Sequence, residues 1–176
     1  WADDYANITA FPASVNNHTV AYTNGDNFTT IFNQDGTTWG FTGGTGDDVA
    51  NIMWGDGKMG VTFGLGMTPE VTAEDVAANN TLTVADASTD INIGFGMPLA
   101  GGDFGFGYDD KGKISLNHRR AQNVWLWDNM VVGFGMTPEK KAADNNGMFQ
   151  QSNMSLNADC YTIKSYEGGT SALFGL

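Results

Sequence analysis

The sequence predicts an all-β fold, an antiparallel up-and-down β-barrel of roughly eight to twelve strands, on three observations. Bulky apolar residues alternate with glycine or small polar residues at a period of two, and short turn signals separate these runs. Charged residues make up only 16% of the chain, beside 24 glycines and 12% aromatics, where soluble domains carry about a quarter of charged residues. The apolar side of such strands is therefore expected to face something other than water. With 176 residues and no linker-like stretch, the chain reads as one domain over 1–176.

The strands follow in order. Val20 and Tyr22 flank Ala21, and Trp39 and Phe41 stand against Thr38, Gly40 and Thr42. The clearest run sets Met59, Val61, Phe63, Leu65 and Met67 against Gly60, Thr62, Gly64 and Gly66. Ile91, Ile93, Phe95 and Met97 alternate with Asn92, Gly94 and Gly96; Phe104, Phe106 and Tyr108 alternate with Gly105 and Gly107. Ile114 and Leu116 alternate with Lys113, Ser115 and Asn117, and Val132, Phe134 and Met136 with Gly133 and Gly135. Side chains two apart share one face of a strand, so each run is a strand with one apolar face, and helical periodicity is nowhere sustained.

Turn signals lie between them: Asp35-Gly36, Gly55-Asp56-Gly57, Gly101-Gly102, Asp109-Asp110-Lys111-Gly112 and Asp128-Asn129. Consecutive strands are expected to be antiparallel neighbours. The chain also echoes itself. Trp54, a Gly-Asp-Gly turn and a strand ending Gly-Leu-Gly-Met-Thr-Pro-Glu70 match Trp127, an Asp-Asn turn and a strand ending Gly-Phe-Gly-Met-Thr-Pro-Glu139. Long polar segments follow each copy, about Val71 to Thr89 and Lys140 to Gly147. Short turns at one end and long loops at the other are the pattern of a membrane barrel.

No run approaches the 18 or so apolar residues of a helical span. A β-structure in lipid has to pair every backbone group, which requires a closed sheet of strands about 9–11 residues long. Lys58 to Met67 has that length. Trp54, Trp125 and Trp127, beside short turns, are candidates for an aromatic girdle at the headgroup level, or else ordinary hairpin aromatics.

On these residues, the Gly-Phe-Gly-Met and Phe-Gly-Phe-Gly-Tyr strands with short Asp/Gly turns, the chain resembles bacterial outer-membrane β-barrel proteins from about Val20 onward. The resemblance is one of composition and carries no catalytic or binding motif. It implies a place in the bacterial outer membrane, membrane lipid and other envelope proteins as partners, and a structural or scaffold role, with a narrow pore as its variant. Lipid-facing residues are then Met59, Val61, Phe63, Leu65, Met67, Ile91, Ile93, Phe95, Met97, Phe104, Phe106, Val132, Phe134 and Met136. Thr62, Asn92, Lys113, Ser115 and Asn117 are the inward polar groups. The end Ala172-Leu173-Phe174-Gly175-Leu176 lacks the terminal aromatic of that family, as in a truncated chain. The start at Trp1, without a leader, is expected of a mature exported product or a fragment.

The rival expectation is a secreted, soluble β-sandwich that packs its apolar faces between two sheets and binds glycans through exposed aromatics. Its glycine-rich second face would then meet solvent, where soluble sheets place Thr, Lys, Glu and Gln.

Candidate chemistry is sparse. A net charge of -12, with eight Lys and Arg in all and one short basic cluster, His118-Arg119-Arg120, argues against a nucleic-acid partner. The lone Cys160 forms no internal disulfide. Gly43-Gly44-Thr45-Gly46-Asp47-Asp48 matches the opening of a calcium-binding repeat, but a single copy cannot stack and reads as a turn. Asp109-Asp110 likewise reads as a turn. Ser115 and His118, three apart, fall on opposite faces of a strand and cannot pair as nucleophile and base. Asn7, Asn17, Asn27, Asn79 and Asn153 open Asn-x-Ser/Thr triplets, common by chance in so Asn- and Thr-rich a chain. The expectation is a non-enzyme without cofactor, metal or catalytic residues.

Overall fold

The computed structural model describes residues 7–25, 27–44, 48–79, 84–124, 127–141, 149–166 and 170–175. Eleven strands form one antiparallel sheet in sequence order: β1 (Val20–Asn24), β2 (Asn27–Gln34), β3 (Thr37–Gly43), β4 (Asp48–Gly55), β5 (Gly60–Thr68), β6 (Ser88–Leu99), β7 (Gly102–Asp109), β8 (Ile114–Val124), β9 (Trp127–Thr137), β10 (Asn153–Tyr166) and β11 (Thr170–Gly175). Every neighbour is the next strand in the chain, as the alternation and the turn signals require. All strands share this one sheet, so the two-sheet sandwich is absent among the described residues.

Closure is not observed either. The edge strand β1 pairs only with β2, and β11 only with β10, so the sheet is open where an up-and-down barrel joins its first and last strands. What covers the concave side is the N-terminal segment, for which the strand alternation predicts no element. A 3-10 helix, Pro12–Asn17, opens with proline, whose missing N–H and fixed φ suit a first helical position. It lies against the middle strands β3 to β7. Ile8, Phe11, Ala13 and Val15 of this segment are buried, and Ile8 and Val15 pack with Ile31 of β2 and Met53 of β4 into the apolar core.

Register fixes the two faces. Val61 pairs with Phe95, which pairs with Phe106; Phe63 pairs with Ile93, which pairs with Tyr108. Leu116 pairs with Phe134, and Ile114 with Met136. All these side chains share the convex face, together with Leu65, Met67, Ile91, Met97, Phe104 and Val132. Met59 is the exception: it precedes β5 in an exposed turn, where its carbonyl accepts from Asn16 Nδ2 and the Asp56 N–H. Glycines and small polar residues occupy the alternate, concave positions. β1 reverses the pattern, since Val20 pairs with the buried Ile31 and so shares the concave side.

The tight turns need left-handed backbone. Asp35 (φ 52) and Gly36 (φ 80) link β2 to β3, and Ala100 (φ 52) and Gly101 (φ 75) link β6 to β7, both as two-residue hairpins of the primed type. The second turn thus sits one residue earlier than the Gly101-Gly102 signal. Asp128-Asn129 is no turn but part of β9: a register shift between Ala121 and Val124 displaces the β8–β9 connection to 125–126.

Loop lengths are polarised. Segments 69–87 and 138–152, following the two copies of the internal echo, leave the sheet at the same end, with their bases pinned by isolated bridges Val71↔Ala85 and Lys140↔Gln150. The opposite end carries 35–36, 56–59 and 100–101. Within the first long loop, α1 (Ala73–Ala78) is a helix the periodicity did not reveal. It is too short for a moment and is held by a capping box, in which Thr72 Oγ1 accepts from Asp75 N and the Asp75 carboxylate accepts from Thr72 N.

Candidate functional site

The concave face is a set of cross-strand rows. One row runs Gly55, Gly60, Gly96 and Gly105 across four adjacent strands, a trough without side chains. The 3-10 helix lies in it, backbone against backbone. A Cβ on Gly96 would stand 2.5 Å from Ala13 N and 2.9 Å from Pro12 N, and one on Gly60 or Gly105 would collide with the carbonyl oxygens of Pro12 or Ala10. Here the absence of a side chain is a steric requirement rather than a backbone one, because none of these glycines has positive φ.

Two anchors hold the segment. Asn16 Nδ2 donates to Ala13 O and Met59 O, each at 3.0 Å, and its Oδ1 accepts from Gly57 N at 2.9 Å, tying the helix end to the β4–β5 turn. Arg119 of β8, 2% exposed, donates from Nε to Asp103 Oδ2 at 2.9 Å, and its guanidinium stands 4.3 Å from the centroid of the Phe11 ring. The middle residue of the only basic cluster therefore serves the interior. His118, one residue earlier, falls on the convex side, where its Nε2 lies 3.1 Å from Leu99 O.

A second motif repeats. Asn51 of β4, Gly64 of β5 and Asn92 of β6 form one row, and Asn117 of β8, Gly133 of β9 and Asn157 of β10 another. In each, the two amides reach over the central glycine: a Cβ on Gly64 would collide with both amides, and one on Gly133 would meet Asn157 Oδ1 at 2.5 Å and Asn117 Oδ1 at 3.0 Å. Gly64 and Gly133 hold the same place in the two copies of the sequence echo, three residues before Met67 and Met136.

Beside the N-terminal segment the concave face leaves a cavity of about 320 Å³. Thr62, Asn92, Lys113, Ser115 and Asn117, the residues expected to point inward, all line it, joined by Asn51 and by Thr9 and Ala10 of the N-terminal segment. Asn51 Nδ2 donates to Thr42 Oγ1 at 3.0 Å. Lys113 belongs to the turn before β8 and is exposed.

The remaining candidates resolve into structure. Ser115 faces the concave side and His118 the convex, as their spacing requires. Asp109 closes its own turn, its carboxylate accepting from Lys113 N at 2.8 Å. Gly43 and Asp48 end and begin strands, and 45–47 between them lie outside the described residues. Among the described residues no cluster of three His, Cys, Asp or Glu side chains is placed to hold a metal. Trp54 pairs with Trp39 across β3 and β4 on the convex face near the short turns. Trp127 falls on the alternate set with Asn129 and Val131, and Trp125 lies outside the described residues.

Backbone N–H groups of Met59 and Lys58 on its carboxylate hold Asp56 below the usual carboxylate range, and the N–H and hydroxyl of Thr72 do the same for Asp75. The Asp90 carboxylate, 2.9 Å away, raises the Lys111 ammonium above its ordinary value.

The arrangement defines a class: one open antiparallel sheet with an apolar convex face, a small and polar concave face, and its own N-terminal segment seated in the concavity. Comparison with protein-family models, curated proteins and solved structures finds no match to the chain.

Proposed function

We propose that the chain is an outer-membrane β-barrel protein with a structural or scaffold role in the bacterial envelope. The observation that carries this reading is the convex face: Phe63, Met67, Ile52, Ile93, Met154 and Leu156 are exposed on it, Leu156 at 76%, with no second layer against them among the described residues. A contiguous apolar surface of that kind is costly in water and favourable in hydrocarbon. The long loops at one end and short turns at the other support the same reading. The N-terminal segment in the concavity favours a filled scaffold over an open pore. In lipid, the free edges of β1 and β11 have to pair, with each other or with another sheet.

The test is heat-modifiability. Protein folded in detergent migrates faster unboiled than boiled if the sheet closes there, and protein placed in plain buffer precipitates. Phe63→Arg then lowers stability in bilayers by about 2–4 kcal/mol if the strand centre lies at the midplane. A soluble, monodisperse chain without a mobility shift would reject the membrane reading.

A further inference from the structure

We infer that the cavity between the N-terminal segment and β4–β8 binds a neutral, polyhydroxylated small molecule, a saccharide of one or two rings. Its wall carries side-chain amides and hydroxyls that the protein leaves available. Among the described residues, the side chains of Asn92, Asn117, Thr62 and Ser115 have no hydrogen bond within the protein, although all four line the same space. Thr62 is only 3% exposed, while Asn92, Ser115 and Asn117 are half-buried and accessible from the cavity. Amides and hydroxyls without protein partners are met there by water or by a ligand.

The chemistry of the wall selects the ligand. Each amide offers two N–H donors and a carbonyl acceptor, and each hydroxyl one donor and two acceptor sites. Sugar hydroxyls, which both donate and accept, match that mixture. Ions do not: Lys113 and Asp109 have opposite charge, and among the described residues no group of carboxylates is placed for a cation. A volume of about 320 Å³ lies at the lower end of small-ligand sites, with room for a mono- or disaccharide. The site needs the N-terminal segment, since Thr9 and Ala10 supply one wall.

Saturation-transfer NMR with maltose tests it, on the full chain in a detergent without a sugar headgroup or in whatever medium keeps it monodisperse, with phosphate as a charged comparator. Maltose is expected to receive saturation from the wild type, with affinity about tenfold lower in Asn92→Leu and Asn117→Leu. Asn157→Leu, in the second asparagine row but not on the cavity wall, is expected to bind as the wild type does. Ser115→Ala, which removes one hydroxyl without adding bulk, is expected to lose about threefold and serves where a leucine variant does not fold. No transfer to maltose from the folded wild type, equal transfer in all variants, or preference for phosphate would overturn the inference. Because the wall is concave, none of these outcomes depends on what the convex face meets.

Discussion

Gly96→Ala is the sharpest perturbation of the seated N-terminal segment. The added Cβ would lie 2.5 Å from Ala13 N, 2.9 Å from Pro12 N and 3.0 Å from Pro12 Cδ. Non-bonded heavy atoms prefer roughly 3.5–4.0 Å, so the segment has to retreat by about 1 Å. The proline ring and backbone cannot swing aside as a side chain can, and Phe11, Pro12 and Ala13 are buried. Overpacking of this kind costs about 1–3 kcal/mol, while alanine recovers roughly 0.4–1 kcal/mol by restricting the unfolded chain, leaving about 1–2 kcal/mol of net destabilisation. Gly107→Ala is the matched control. Its Cβ would meet only the Ser115 hydroxyl at 2.5 Å and Ser115 Cβ at 3.9 Å, and a hydroxyl can rotate away. That variant is expected to be as stable as the parent or slightly more so. Denaturant unfolding followed by tryptophan fluorescence gives both values, and hydrogen exchange at the Ser14 amide, which donates to Phe11 O, reports how firmly the segment is seated. Equal midpoints for the two variants, with the Ser14 amide equally protected, would refute the trough as the seat of the segment.

Other consequences are as direct. Arg119→Met removes the ion pair with Asp103 and the cation over Phe11, and is expected to lower stability by about 1.5–3 kcal/mol in the same unfolding assay; an unchanged midpoint would remove Arg119 from the anchor. Gly36→Ala places a Cβ on a residue at φ 80 and is expected to cost about 1–2 kcal/mol, whereas an unchanged midpoint would contradict the primed turn. The Asp56 carboxyl, titrated by carbon NMR, is expected to have its midpoint below the ordinary 3.8. Because that pKa is lowered on folding, its contribution is complete above the unfolded value and fades as pH falls through the folded one. Asp56→Asn abolishes this dependence in the turn, and a midpoint at or above 3.8 would contradict the two N–H bonds.

Strands were legible because binary alternation states both the element and its faces. Val61, Phe63, Leu65, Ile93, Phe95 and Phe134 stand on one side of the sheet as their parity requires, and Thr62, Asn92, Ser115 and Asn117 on the other. Closure was not legible in the same way, since it is a relation between the first and last strands and no local pattern encodes it. The seated segment escaped because Ile8, Phe11 and Val15, although spaced three and four apart as on a helix face, make too short a run to sustain that period; the clearer signal was the coincidence of Gly60, Gly96 and Gly105, visible only once register is known. The Asp128-Asn129 turn was misplaced by a bulge, which shifts pairing without leaving a mark in composition. For the cavity, residue types and facing could be read, but the row that sets Asn51 beside Asn92 over Gly64 depends on two hairpins and their turn lengths.

The two asparagine rows have a consequence for how such a sheet can grow. The central glycine of the first lies on β5 and that of the second on β9, so the pattern recurs after four strands. An even displacement preserves strand direction, and with it the end from which each following loop emerges; an odd one would send the second loop out of the opposite end. A block of two hairpins is therefore a unit that can be duplicated or deleted in the gene while polarity and facing survive, and lengthening by such blocks adds curvature without redesigning either end.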